Sequence, residues 1–145
     1  MPETRRGVGV VFYDKHRGRV LVYRRDNTPT LPFPDHLDLL GGHMEPGETP
    51  EQTVVREMAE ELEDRRTGAP YVLVGHRLFT VHTDAQGVVD YIFYKAVDFD
   101  LAEVRLLEGQ ALVWLTEDEA RSAPLAFGYS QVLAAFFHAL WAGMV

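Results

Sequence analysis

A chain of 145 residues with 46% apolar residues can bury one sizeable core, so residues 1–145 are expected to form a single domain. A formal charge of −8 excludes a general grip on nucleic-acid backbone, which needs a basic surface, though a small phosphorylated ligand remains open if a cation screens it. The absence of cysteine excludes disulfides, thiolate metal sites and a thiol nucleophile. In chain order, Met1 to Arg6 lacks the apolar run of a signal peptide, and a cytoplasmic location is expected. Arg6 to Tyr13 and Arg19 to Arg25 alternate as strands around a polar turn and predict a hairpin. Asp26 to His36 carries Pro29, Pro32 and Pro34 and reads as a stiffened loop, and Leu37 to Leu40 as a short strand that leads into Gly41-Gly42.

A helix is expected from about Pro50 to Glu63. Thr49 is a suitable N-cap, Pro50 suits the first helical position, and Gln52 completes a capping box. At about 100° per residue, Val54, Val55, Met58 and Leu62 form a core-facing stripe. Glu57, Glu60 and Glu61 share an adjacent face, with Arg56 beside Glu60. Like charges three and four residues apart repel, and anions at a helix carboxyl end oppose the macrodipole, each by a few tenths of a kcal/mol. A hard divalent cation reverses that sign, because Mg²⁺ prefers carboxylate oxygens and bridges to phosphates. The alternative is a solvated acidic helix face.

Further on, Tyr71 to Thr83 and Val88 to Val97 read as an antiparallel pair around the turn at Asp84 to Gly87. Phe99 to Leu107 is ambiguous, and Ala111 to Leu115 is a strand. Thr116 with Glu119 caps a short helix. Leu125 to Val145 is apolar and long enough to tempt a membrane reading. Val132, Leu133, Phe136, Phe137, Leu140 and Trp141 nevertheless form one stripe against a small face of Ala134, Ala135 and Ala139, which predicts a packed helix and no membrane anchor. Leftover apolar surface on that helix leaves room for a homodimer. Strands on either side of one central helix, closed by a terminal helix, predict an α/β sandwich with a mixed sheet.

Gly42, Glu48, Arg56, Glu57, Glu60 and Glu61 stand at the spacing Gly-x5-Glu-x7-Arg-Glu-U-x-Glu-Glu, with Met58 at the apolar position U. This resembles the box of the Nudix hydrolases, enzymes that cleave nucleoside diphosphates linked to another group. The box normally continues x-Gly-U, whereas this chain has Leu62, Glu63 and Asp64 there. The resemblance implies an α/β/α sandwich and a Mg²⁺ site, with Mn²⁺ as a substitute. It implies Glu57, Glu60, Glu61 and the Gly42 carbonyl as metal ligands, and a supporting pair, Arg56 and Glu48, that orients Glu57. Leu107 to Trp114, with Glu108-Gly109-Gln110, looks like a segment of the nucleotide-sanitising members. By that likeness Glu108 adds a metal contact or assists the base, and either Glu57 or Glu108 is the base.

The implied reaction is Mg²⁺-dependent hydrolysis of the pyrophosphate of a nucleoside di- or triphosphate derivative. The alternatives are a sugar-nucleotide or dinucleotide pyrophosphatase, and a domain that senses a nucleotide without cleaving it. Arg24 and Arg25 are candidates for a distal phosphate, with plain solvent exposure as the alternative. Phe33, Phe79, Tyr91, Phe127 and Tyr129 are available to stack a base, although core roles explain most of them. His43 and His82 match no ligand spacing, so structural or surface roles are expected. The sanitising members often carry a base-reading Asn before the last helix, and Pro124 to Ser130 contains none.

Overall fold

The computed structural model describes residues 5–145; residues 1–4, part of the segment in which no signal peptide was expected, lie outside the described residues. The sheet is built outward from β1 (Arg6–Asp14), which is buried along nearly its whole length. A strand apolar on both faces must be covered on both sides. β1 pairs antiparallel with β2 (Arg19–Arg24), with Phe12 opposite Leu21, and antiparallel with β4 (Leu40–His43), with Val8 opposite Gly42. On its other edge it pairs parallel with β7 (Val89–Ala96), with Gly7 opposite Asp90. β3 (Leu37–Asp38) and β9 (Ala111–Thr116) pair with β2, and β6 (Arg77–Thr83) pairs antiparallel with β7. The result is a mixed seven-stranded sheet. A separate pair joins β5 (Leu62–Asp64) to β8 (Val104–Leu106).

Helix α1 (Pro50–Glu61) covers one face, where Val54 and Met58 pack with Val8, Val10, Phe12 and Leu21. Helices α2 (Glu117–Ser122) and α3 (Tyr129–Trp141) cover the other, where Leu133, Phe136 and Phe137 pack with Val11, Tyr13 and Ile92. This is an α/β/α sandwich, as expected. Among the described residues no helix is long and apolar enough to cross a membrane. The C-terminal apolar stretch is instead a packed 13-residue helix.

Three boundaries and one helix-face assignment differ from expectation, each for a local reason. α1 stops at Glu61, not Glu63, because Leu62 to Asp64 pair with Val104 to Leu106 as strands. The box positions that depart from the family pattern, Glu63 and Asp64, therefore belong to a strand. The segment Tyr71 to His76 is an extended strap, not part of β6: Leu73 is buried and Tyr71 packs edge-on to Phe12, while Val72 and Val74 face outward. Leu37 to Leu40 splits into β3 on β2 and β4 on β1, since the chain changes neighbour at the buried Leu39. On α3, Ala139 is buried and Trp141 is 56% exposed, reversing the two assignments. At the helix end Trp141 stacks on Phe137 and donates its indole N–H to Glu117.

Candidate active site

β4 delivers Gly41 and Gly42 to the edge of the α1 face, and residues 44–49 turn the chain into the helix. The helix start is well specified. Thr49 Oγ1 accepts from the Gln52 N–H at 3.1 Å, and Gln52 Oε1 accepts from the Thr49 N–H at 3.0 Å. Glu48 folds back over this turn and accepts from the Glu45 N–H at 2.8 Å and the Thr53 hydroxyl at 3.1 Å.

Arg56 is the hub of the charged face. Its Nε and Nη2 donate to the two oxygens of Glu48 at 2.7 and 2.8 Å, a bidentate fork. Nη1 donates to Glu57 at 3.0 Å and Glu60 at 3.2 Å, and Nη2 also donates to the His43 carbonyl at 3.1 Å. These bonds, Arg56 foremost, hold the Glu48 carboxyl down at about 2. The same carboxylates push the Arg56 guanidinium further up.

The three helix carboxylates are not equivalent. Glu60 is exposed and leans onto Arg56. Glu57 is tucked against Gly42, where an added Cβ would collide with its carboxylate. Burial raises its carboxyl, against the pull of Arg56. Glu61 is buried and accepts from the Gly41 N–H at 3.2 Å. Burial first, then the negative charges of Glu57 and Glu108, push its carboxyl up to about 9. Glu108 lies on the exposed loop before β9 and is near enough to act electrostatically on both Glu57 and Glu61. That loop is anchored by the Leu107 N–H on the Glu61 carbonyl at 2.8 Å and by Gln110 Nε2 on the Arg25 carbonyl and Asp35. Gly109, at φ 88°, is required there because a side chain would meet the Tyr23 ring and the Arg24 carbonyl.

Among the described residues no three acidic or histidine side chains already stand as a closed metal cage. The donor set still suits a hard divalent ion. It consists of oxygens alone, burial and neighbouring negative charge raise two of its carboxyls, and the space a Cβ would take at Gly42 is filled by the Glu57 carboxylate. A bound cation offsets the neighbouring negative charge that adds to burial in raising Glu57 and Glu61.

Other sequence candidates fall elsewhere. Arg25 is not free for a phosphate: it pairs with the buried Asp38 at 2.7 Å and donates to the Pro32 carbonyl at 3.0 Å. Arg24 donates to the Asp35 carbonyl at 2.8 Å. Phe79 packs in the core with Tyr94 and Phe136. His82 bonds the Phe127 carbonyl at 3.0 Å, and His43 is exposed beside Gly42.

The family model of the NUDIX domain matches residues 3–136. The chain belongs to the Nudix family. Nudix enzymes are hydrolases of phosphorus anhydrides, and that is the reaction class of this enzyme. It is 33% identical over 102 residues to the CTP pyrophosphohydrolase of Escherichia coli K12, covering 68% of this chain and 69% of that protein. It is 41% identical over 54 residues to the Nudix hydrolase orf19 of Rhodococcus erythropolis, covering 37% of this chain but only 29% of that protein. The solution structure of the E. coli ORF135 protein superposes with a TM-score of 0.67 and 26% identity, over 97% of this chain and 93% of that one.

Besides Asp14, which pairs with Arg17 and Arg19 at the end of β1, the sequence reading passed over two buried acids, Asp38 and Asp90. Both carried a signal: an aspartate inside an otherwise apolar, aromatic strand is out of place unless something hydrogen-bonds it. Asp38 is explained by Arg25 and by the Tyr23 hydroxyl at 3.3 Å, although burial still raises its carboxyl to about 6. Asp90 accepts from the Tyr129 hydroxyl at 2.8 Å through Oδ2.

Proposed function

We propose that residues 1–145 act as one domain that hydrolyses nucleoside triphosphates to the monophosphate and pyrophosphate with the help of Mg²⁺ or Mn²⁺. The observation that carries this reading is the pair Glu57 and Glu61, held against Gly42 and Gly41 and raised by burial and by neighbouring carboxylates, Glu60 and Glu108 at Glu57 and Glu57 and Glu108 at Glu61. Carboxylates so placed are costly to the fold alone and suit a cation. Glu57, Glu60, Glu61 and the Gly42 carbonyl would hold the ion, with Glu108 as a further donor. Once bound, such an ion neutralises phosphate charge and lowers the pKa of water.

The chain's own residues supply the rest. Arg56 fixes the Glu57 side chain while Glu48 fixes Arg56. Glu57 is the base: it takes one proton from the water whose oxygen bonds to phosphorus as the P–O anhydride bond breaks and pyrophosphate leaves. Glu108 assists from its loop. Support for a triphosphate substrate comes from the CTP pyrophosphohydrolase relative.

The test is incubation of the protein with CTP, UTP, ATP and GTP, with Mg²⁺, with Mn²⁺ and with chelator. Products are identified by mass in ¹⁸O-labelled water. Monophosphate and pyrophosphate formed only with metal support the reading. Absence of turnover on all four, or turnover that survives the chelator, overturns it.

A further inference from the structure

β1 and β4 run out together where the chain turns into α1. The Met44 N–H bonds the Arg6 carbonyl at 3.0 Å, and Val8 lies opposite Gly42. Val8, Val10 and Phe12 pack under α1 while Val11 and Tyr13 pack under α3. The alternation therefore puts Arg6 on the sheet face where the Glu57 carboxylate lies against Gly42. Arg6 is two residues from Val8, about 7 Å along the strand, a separation that a long arginine side chain bridges. A cavity of about 770 Å³ opens at this end of the sheet, lined by Arg5, Arg6, His43 and the turn from Met44 to Glu48. Its size is that of a small-molecule site. Its Glu48 wall joins the proposed metal face through Arg56, which bonds both Glu48 and Glu57.

A triphosphate chain needs cations from the protein wherever a metal does not reach it, and most arginines near the site are already engaged. Arg56 gives its donors to Glu48, Glu57, Glu60 and the His43 carbonyl. Arg25 is held by Asp38, and Arg24 by Asp35. Arg5 and Arg6 have no ion-pair partner among the described residues. Of the two acids on the cavity wall, Glu48 has both oxygens taken by Arg56, so that pair is neutral. Glu45 is 65% exposed and stands 3.8 Å from Arg56. The two arginines therefore outweigh the one acid left over.

We infer that Arg5 and Arg6 form the subsite for the part of the phosphate chain that leaves as pyrophosphate, with His43 on its rim. This rests on the proposed triphosphate chemistry and deepens it, because it says how the chain selects its substrate. A guanidinium fork matches two phosphate oxygens, and a terminal phosphate offers oxygens that no other group covers. A diphosphate capped by a sugar or a second nucleoside lacks that terminal charge and gives the two forks less to hold. Glu45, facing the same space, weakens the subsite and limits retention of the product.

The probe is inorganic pyrophosphate, titrated by calorimetry and followed by ³¹P NMR at low ionic strength without divalent ion. Turnover plays no part, so failure of the hydrolytic reading is registered separately. The wild type is expected to bind pyrophosphate, and Arg5→Ala and Arg6→Ala each to weaken it by about tenfold, the worth of a hydrogen bond to a charged group. Glu45→Gln is expected to tighten binding a few-fold. Arg121→Ala, which removes a cation from α2 on the other side of the sheet, leaves it unchanged. Circular dichroism confirms that each variant is folded. Binding that follows this pattern in a protein that cleaves no triphosphate upholds the subsite and removes only the hydrolytic reading. No binding by the wild type overturns the inference. So does wild-type binding in the double variant Arg5→Ala, Arg6→Ala, or an equal loss in Arg121→Ala, which would mark a diffuse charge effect.

Discussion

Arg56 and Glu48 meet through two parallel hydrogen bonds of 2.7 and 2.8 Å, across eight residues of sequence. The pair ties the loop after Gly42 to the middle of α1. Its pH signature has a definite sign. The folded carboxyl of Glu48 sits at about 2, below its ordinary 4.5, so the group stabilises the fold above 4.5 and loses that contribution as pH falls toward 2. The urea midpoint of the wild type should exceed that of Glu48→Gln at pH 7, and the gap should narrow from pH 4.5 downward. A gap constant from pH 7 to 3 would remove the ion pair from the account.

Glu57→Gln, Glu60→Gln and Glu61→Gln are each expected to lower turnover of a confirmed triphosphate by well over about tenfold. Their stabilities should differ. Burial and its acidic neighbours raise the Glu61 carboxyl to about 9, so without metal it is already uncharged at neutral pH, and a neutral amide that still accepts from Gly41 should leave the melting temperature unchanged or higher. Glu57→Gln keeps an oxygen to accept from Arg56 but loses the charge that strengthens that bond, and should lose some stability. Thermal melts beside steady-state assays check both statements; a wild-type rate in any folded variant would detach that residue from the chemistry.

The two faces of the sandwich give a stability contrast. Met58 is fully buried under α1, and Phe136 is fully buried under α3, within 5.1 Å of Tyr13. Met58→Ala and Phe136→Ala should cost about 2–5 kcal/mol each. Trp141→Ala removes a mostly exposed ring and should cost under about 1.5 kcal/mol, the range of its stacking on Phe137. Urea denaturation of the three variants measures this directly, and a Trp141→Ala loss as large as that of Phe136→Ala would put the indole in a buried interface instead.

The elements legible in the sequence are those whose signal is local. The Thr49–Gln52 and Thr116–Glu119 boxes are each written within four residues, and both form as expected. The stripe of α1 follows from helical period, and Val54, Met58 and Leu62 are fully buried. What stayed hidden depends on neighbours far along the chain. Leu62 to Asp64 leave the helix because Val104 to Leu106 offer strand bonds some forty residues on. Arg25 looked free until Asp38 was placed beside it. Asp90 was read only as one letter of a strand, since the glycine whose missing Cβ makes room for its carboxyl lies on β1 and the tyrosine that grips it lies on α3. Trp141 and Ala139 were exchanged because the stripe drifts around the last turn of a short helix, where α2 and Glu117 take the indole.

Gly42 is where the fold and the chemistry make the same demand. Its backbone pairs with Val8 in the sheet, and its missing Cβ is the space that the Glu57 carboxylate occupies. Alanine there has no conformational objection, because Gly42 is not among the residues at positive φ. The added methyl must instead displace the Glu57 carboxylate, which is held by Arg56 on its other side. A displacement of about 1 Å in a catalytic group lowers rates by about a hundredfold. Gly42→Ala is therefore expected to cut kcat by about ten- to a hundredfold while the fold persists, since the strand bonds do not need the glycine. Gly47→Ala is the control. It lies at φ 82° with open space around it, so it should lower stability modestly and leave kcat near the wild type. If the two variants lose stability alike and both keep their turnover, the tight fit of Glu57 against Gly42 serves packing alone.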